Sequence, residues 1–371
     1  MKIILFNTFH NGDIFFTKEF IRAIVNNNPE HNFSIACRQF YSLFSDIKDL
    51  EISERPTDFD ANIKSEDIDL TKEYYIKDNI LYIFSVPVIN VGTREQPSMR
   101  WECNVTLECF NKYFTNVITN INSNLEEVKP KLIFNSLNKT DFLPSIFNNI
   151  KFGDLPIIVQ SSLKNQCIFY YNLKPLSTST HIDDDKLIEA LAIKYSEYTI
   201  IVTKNTTIKL KNIICLYDLD IEITKETIDG KNLLFYAYIA SFCPIIILKD
   251  TGGALCVFNK YTMTSSINQY IILVYCDNIN KIQEKSFNIS FITSMQNLII
   301  KDNKHLIPLN KYTPADIIGE IDKIGPISPA NFTSTGGRLK FTRNRKSKGK
   351  MRKNKNMRLR SRNLRCKEKN K

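Results

Sequence analysis

The chain has 371 residues, enough for two ordinary domains and an extension, and its 43% hydrophobic content with 24 Phe excludes a wholly disordered protein. The net charge of +11 is unevenly placed: residues 338–371 carry 17 Lys/Arg and one acid, while the other 337 residues carry 33 basic and 38 acidic residues. The folded part is therefore mildly acidic, and only the tail can make a claim on nucleic acid.

Residues 2–8 read as a buried strand and 13–26 as an amphipathic helix, with Ile14, Phe16, Phe20, Ile21, Ile24 and Val25 on its apolar face. A second strand over 33–37 and a short helix over 41–47 complete a βαβ order, which predicts a parallel sheet. Residues 51–72 are polar and acidic. The run over 74–83 predicts a hairpin turning at Asp78-Asn79. A helix over 105–121 precedes Leu132-Ile133-Phe134, and another is expected over 141–149.

The pattern restarts near Phe152-Gly153-Asp154-Leu155-Pro156. Strands are expected over 167–172, 198–203, 213–217, 244–248 and 270–275, with helices over 183–195 and 231–242 and another beginning at Ala254. The helix at 183 opens with three aspartates, where the helix dipole favours them. Two successive α/β units, 1–155 and 156–327, predict two doubly wound, Rossmann-like domains. From residue 328 the composition is too polar to fold alone, so 328–371 is expected to be a disordered basic tail.

No apolar run is long enough to cross a bilayer, and the N-terminus has no basic, apolar and small-residue signal pattern. The nine cysteines are scattered and odd in number, which fits free thiols and a reducing, cytoplasmic setting. The sequence calls for no metal and no cofactor: it lacks G-x-G-x-x-G, a P-loop and a His/Cys ligand cluster.

Two turns carry the candidate chemistry. Asn11-Gly12-Asp13 follows the first strand, where ligands of open α/β sheets bind. Gly12 permits a sharp turn, and Asp13 is a candidate general base at the positive end of a helix. An N-terminal helix carboxylate with no further role is the commoner reading of an Asp in this position. His10 stands beside this turn. The second turn, Asp250-Thr251-Gly252-Gly253, lies between a strand and a helix and suits an anion, or else is only a tight connection. Ser177, Thr178, Ser179 and Thr180 offer hydroxyls to phosphate or sugar oxygens in a third such loop, whose default reading is a solvated cap. Arg94, Arg100 and Trp101 form a distinctive loop suited to carboxylates or hydroxylated rings, or else one that packs on its own domain. Asp218-Leu219-Asp220 mimics a metal-binding Asp-x-Asp motif.

Taken together, the strand, Gly12-Asp13-Ile14 and the helix after them, then helix 231–242, strand 244–248 and Asp250-Thr251-Gly252-Gly253, resemble glycosyltransferase family 9, the heptosyltransferase-like group of the GT-B fold. The resemblance spans about residues 1–280. It implies a GT-B-like pair of Rossmann-like domains facing across a cleft, acceptor domain first and donor domain second. It implies an inverting, metal-independent transfer of a sugar from a nucleotide-sugar donor to a glycan, lipid or protein acceptor. Asp13, assisted by His10, would take the acceptor proton. The diphosphate would rest near Thr251, Gly252 and Gly253, with Ser177 to Thr180. The chain departs from the family where Gly253 replaces a proline and Ala254-Leu255-Cys256 replace a histidine. That departure suits the alternative, an inactive GT-B-like binding protein tethered to polyanions by its tail. The tail is similar to those on proteins of large DNA viruses of protists. Having no aromatic after Phe341, it would contact nucleic acid through phosphates, or direct the chain to a nucleus or an anionic surface.

Overall fold

The computed structural model describes residues 1–7, 11–37, 40–52, 73–86, 88–90, 99–101, 107–146, 150–173, 183–219, 230–249, 251–265, 269–274, 304–309 and 313–325. Of residues 11–13, 88–90, 99–101 and 308 it describes the backbone alone. The basic tail lies outside these residues. Met1–Phe332 forms one compact unit.

Strand β1 (Lys2–Asn7) runs into helix α1 (Asn11–Asn27), then β2 (Asn32–Cys37), a 3-10 helix (Tyr41–Phe44) and β3 (Leu50–Ile52). The hairpin β4 (Tyr74–Lys77) and β5 (Ile80–Phe84) turns at Asp78-Asn79, both in the left-handed region with φ of 53° and 60°. Asp and Asn tolerate that conformation, and the turn it makes matches the twist of the flanking strands. These strands form a sheet of order β3-β2-β1-β5-β4, parallel except for the β4 edge. A separate ribbon, β6 (Val88–Asn90) with β7 (Met99–Trp101), pairs antiparallel. Arg100 and Trp101, expected in a loop, are thus in a strand.

Helix α2 (Leu107–Asn124) buries Phe110, Phe114, Val117, Ile118 and Ile121, the stripe its 3.6-residue period dictates. The segment directly after it, residues 125–146, joins neither sheet. Instead three asparagine side chains each donate to and accept from the same backbone residue of it, as a neighbouring strand would. Asn122 does so at Leu132 (2.8 and 2.9 Å), Asn28 at Ile133 (2.8 and 2.7 Å) and Asn111 at Leu137 (2.9 and 2.8 Å). The helix expected from 141 is absent over 141–146. Asn138 Oδ1 captures the amides of Thr140 and Asp141 in a turn, and Pro144 is a poor helix interior.

Helix α3 (Ile157–Leu163) leads into β8 (Cys167–Tyr171), α4 (Asp184–Lys194), β9 (Thr199–Val202), β10 (Ile213–Cys215), α5 (Lys231–Ala240) and β11 (Ile245–Lys249). A 3-10 helix (Gly252–Val257), α6 (Lys260–Thr264), β12 (Tyr270–Val274), β13 (His305–Leu309) and α7 (Pro314–Ile324) follow. Where an α-helix was expected from Ala254, the chain is a six-residue 3-10 helix. Helix α7 carries its own start signal, Thr313 as cap, Pro314 at the first position and Asp316 in the first turn. All six strands of the second sheet are parallel, in the order β10-β9-β8-β11-β12-β13. The α/β class with two doubly wound sheets agrees with the sequence.

Alternation along the strands sends their side chains to different cores. Ile245 and Ile247 of β11 join a cluster with Leu187 and Leu191 of α4 and Ile317 and Ile321 of α7. Ile246 and Leu248 face the opposite way, into a larger core that is continuous with Ile3, Leu5 and Phe20 around the first sheet. At the seam, α1 and α5 both pack on the 3-10 helix Gly252–Val257. Phe40, itself left-handed at φ 61°, fits against Gly230, where an added Cβ would lie 2.2 Å from its ring. A polar link crosses the seam, the Pro144 carbonyl accepting from the Lys260 amide at 2.9 Å; within the first half, buried Lys18 donates to Ser145 O at 2.6 Å and pairs with Asp46 at 2.9 Å. Burial pushes the Lys18 ammonium below its ordinary pKa, with Asp46 opposing.

Gly230 has φ 72°, so Gly230→Ala combines backbone strain with overpacking against Phe40. It should lower stability to urea by about 2–4 kcal/mol. Gly319, inside α7 with no atom within 4 Å of an added Cβ, is the control: Gly319→Ala should raise stability by up to about 1 kcal/mol.

Candidate functional site

In chain order the second sheet reads 3-2-1-4-5-6, with the reversal between its first strand, β8, and its fourth, β11. The crevice beyond the carboxyl ends of those two strands is where such sheets take their ligands. Tyr171 and Asn172 close β8, Lys249 closes β11, and Thr251 follows two residues later.

The three aspartates at the start of α4, its cap Asp183 and the first two helical residues, are legible in the sequence only as a dipole match and do three different things. Asp183 caps the helix by accepting from the Lys186 amide at 3.2 Å and also pairs with the Lys186 ammonium at 2.8 Å; these hydrogen bonds hold its carboxyl below the ordinary range. Asp184 accepts from Lys249 Nζ at 2.6 Å and from the Tyr170 hydroxyl at 2.5 Å. Asp185 accepts from Thr206 Oγ1 at 2.6 Å, from the Thr207 amide at 3.2 Å and from the Thr207 hydroxyl. Burial pushes Asp185 up, but the hydrogen bonds from Thr206 and Thr207 outweigh it, so its carboxyl lies below the usual value.

Asn172 ties the neighbouring strand exits together. Its Oδ1 accepts from Thr203 N (3.0 Å), Thr203 Oγ1 (2.9 Å) and Lys204 N (2.7 Å), and its Nδ2 donates to Lys204 O (3.3 Å). Sequence reasoning missed Asn172, Tyr170 and Lys249. The available signal was Lys249 itself, a charge closing an otherwise apolar strand.

The turn after β11 is shaped by packing. Thr251 is extended and caps the 3-10 helix: its hydroxyl and its carbonyl both accept from the Ala254 amide, at 3.3 and 3.0 Å. Gly253 has no room for a side chain, since a Cβ there would lie 2.4 Å from the Tyr171 hydroxyl and 3.2 Å from Leu233. Ala254, Leu255 and Cys256 are buried. The Cys256 thiol donates to Gly253 O at 2.8 Å and Leu233 O at 3.3 Å, and burial pushes its pKa far up, so it stays protonated and inert as a nucleophile.

On the first sheet, β1 leads to α1, whose first turn is Asn11-Gly12-Asp13. Asn11 and Gly12, expected in the turn before the helix, are part of it. Beside this rim, Ser85 donates through its amide (2.9 Å) and hydroxyl (3.1 Å) to Phe6 O. His10, Arg94, Ser177 to Thr180, Asp220 and Asp250 lie outside the described residues. Asp218 belongs to a 3-10 helix (Tyr217–Leu219) and pairs loosely with Lys209 at 3.8 Å. Among the described residues, no three His, Cys, Asp or Glu side chains are grouped to hold a metal. Among the described residues, Cys37, Cys109, Cys167, Cys215, Cys243 and Cys256 are not in disulfides. No described helix is long and apolar enough to cross a membrane.

No family model matches the chain, and no curated protein is similar to it in sequence. Among solved structures, E. coli heptosyltransferase WaaC with ADP aligns at TM-score 0.42 and 11% identity, over 88% of this chain and 100% of that one. The same enzyme with ADP-2-deoxy-2-fluoro heptose gives 0.41 and 10%, over 87% and 99%. A glycosyl transferase family 9 protein from Veillonella parvula DSM 2008 gives 0.38 and 8%, over 88% and 92%.

The contact between Gly253 and Tyr171 is testable by a double-mutant cycle in urea unfolding. Gly253→Ala should cost about 1–3 kcal/mol, and the cost should shrink when Tyr171→Phe removes the opposing hydroxyl.

Proposed function

We propose that the chain is a glycosyltransferase that moves a sugar from a nucleotide-sugar donor to an acceptor hydroxyl. One observation carries this: the Thr251-Gly252-Gly253 turn stands at the strand-order reversal of a six-stranded parallel sheet, and the 3-10 helix it opens packs on α1, the helix that bears Asp13 in its first turn. The nucleotide belongs with residues 156–327 and the acceptor with residues 1–155.

In the reaction, the acceptor oxygen attacks the anomeric carbon from the face opposite the leaving diphosphate. The bond from that carbon to the diphosphate oxygen breaks, and Asp13 takes the acceptor proton. Backbone N–H groups of the turn and the loop holding Ser177 to Thr180 receive the charge that develops on the diphosphate. No metal is needed for these steps. His10 is the neighbouring group that would steer the proton. Arg94, Arg100 and Trp101 are the acceptor-side candidates.

A second reading, a non-catalytic binding protein tethered to polyanions by its basic tail, is favoured by the burial of Ala254, Leu255 and Cys256. The residues after the turn fill the core and offer a ligand no polar side chain but a buried thiol.

A donor panel separates the two. Under the transferase reading, one nucleotide sugar raises the melting temperature and is slowly hydrolysed. Asp13→Asn then keeps the shift while hydrolysis falls by about 10²–10⁴-fold. A shift with no turnover in the unmodified protein supports the binding protein. No shift with any nucleotide sugar rules out a donor site.

A further inference from the structure

One charge pair at the rim of the second sheet, its ammonium buried and its carboxylate partly exposed, takes no part in the chemistry above. Lys249, the last residue of β11, is 3% exposed. Its ammonium donates to Asp184 at 2.6 Å and to the Asn172 carbonyl at 3.2 Å. Asp184 is also held by Tyr170 of β8, and Asn172 is bound to Thr203 and Lys204 beyond β9. A single polar web therefore joins the exits of β9, β8 and β11 to the first turn of α4.

Stability is a weak reason for such a pair. Removing an ammonium from water costs several kcal/mol, and apolar replacement of a buried ion pair is often neutral or better. A methionine would fill much the same space. What methionine lacks is direction: the ammonium fixes the end of β11 against two other elements at defined distances. The chain then reaches Thr251 within two residues, so the heading set at Lys249 adds to the packing that shapes the turn.

We propose that Lys249, acting through Asp184 and Asn172, is a positioning residue for the Thr251-Gly252-Gly253 turn, holding it in the arrangement that receives a nucleoside diphosphate. The assignment rests on the donor site proposed above. Lys249 itself need not touch the ligand, because its charge is already matched by Asp184.

The test compares the full chain with Lys249→Met/Asp184→Asn, which removes both charges together and leaves neither stranded. ADP, UDP and GDP are titrated calorimetrically into each protein, melting temperatures are recorded, and amide exchange is followed by mass spectrometry. The double variant should melt within a few degrees of the parent, yet bind the accepted nucleotide roughly tenfold or more weakly. Exchange should quicken over 251–257 and not over α7. Equal affinity in parent and double variant overturns the role of Lys249 and leaves the donor site standing. Binding of none of the three nucleotides by the parent overturns the donor site and the inference with it. Should the double variant not fold, Lys249→Met alone leaves the Asp184 carboxylate partly exposed and still bound by Tyr170, and equal affinity in that variant overturns the role likewise.

Discussion

The 3-10 helix Gly252–Val257 is the constraint on which the rest depends. It is apolar after its glycines, it is packed between α1 and α5, and its residues Ala254, Leu255, Cys256 and Val257 belong to the core that both sheets share. Burying that surface is the main favourable term available to the seam, at roughly 25 cal/mol per Å² of apolar area. The same packing leaves no freedom for Gly253, whose Cα lies against Tyr171, or for Gly230, whose missing side chain receives Phe40. A turn in that position is therefore fixed from below by the core.

Polar groups govern the other side of the turn. β11 is buried on both faces, and only at Lys249 does it acquire a charge. Because an unpaired ammonium there would be strongly unfavourable, Asp184 and the Asn172 carbonyl must stand where they do. Asn172 is in turn saturated by Thr203 and Lys204, and Asp185 binds the Thr206-Thr207 segment. The crevice rim is thus an ordered set of hydrogen bonds laid over an apolar base. Groups held in this way need no reorganisation when a charged ligand arrives.

Side-chain amides supply a different kind of order in the first half. Asn28, Asn111 and Asn122 hold the segment after α2 by paired donation and acceptance, so that it satisfies buried backbone groups without entering a sheet. Lys18 and Asp46 form a buried ionic link near the same seam, completed by the Ser145 carbonyl.

The sequence by itself determined the elements whose signal is local. Periodicity gave α1, α2 and the buried strands, the Asp78-Asn79 pair announced the hairpin, and an α/β class with parallel sheets was readable from element order alone. It also located the turn at Thr251-Gly252-Gly253, because glycines between an apolar run and a helix are rare in this chain. Tertiary structure decided what depends on residues distant in sequence. Strand order, and hence the position of the crevice, follows from which strands pair. Gly253 is glycine because of Tyr171, 82 positions earlier, and Gly230 because of Phe40. The roles of Asp184 and Lys249 arise only when α4 is laid beside the end of β11. Local rules report a residue's own conformational preference, whereas burial, ion pairing and the space available for a Cβ belong to neighbours that only the folded chain brings together.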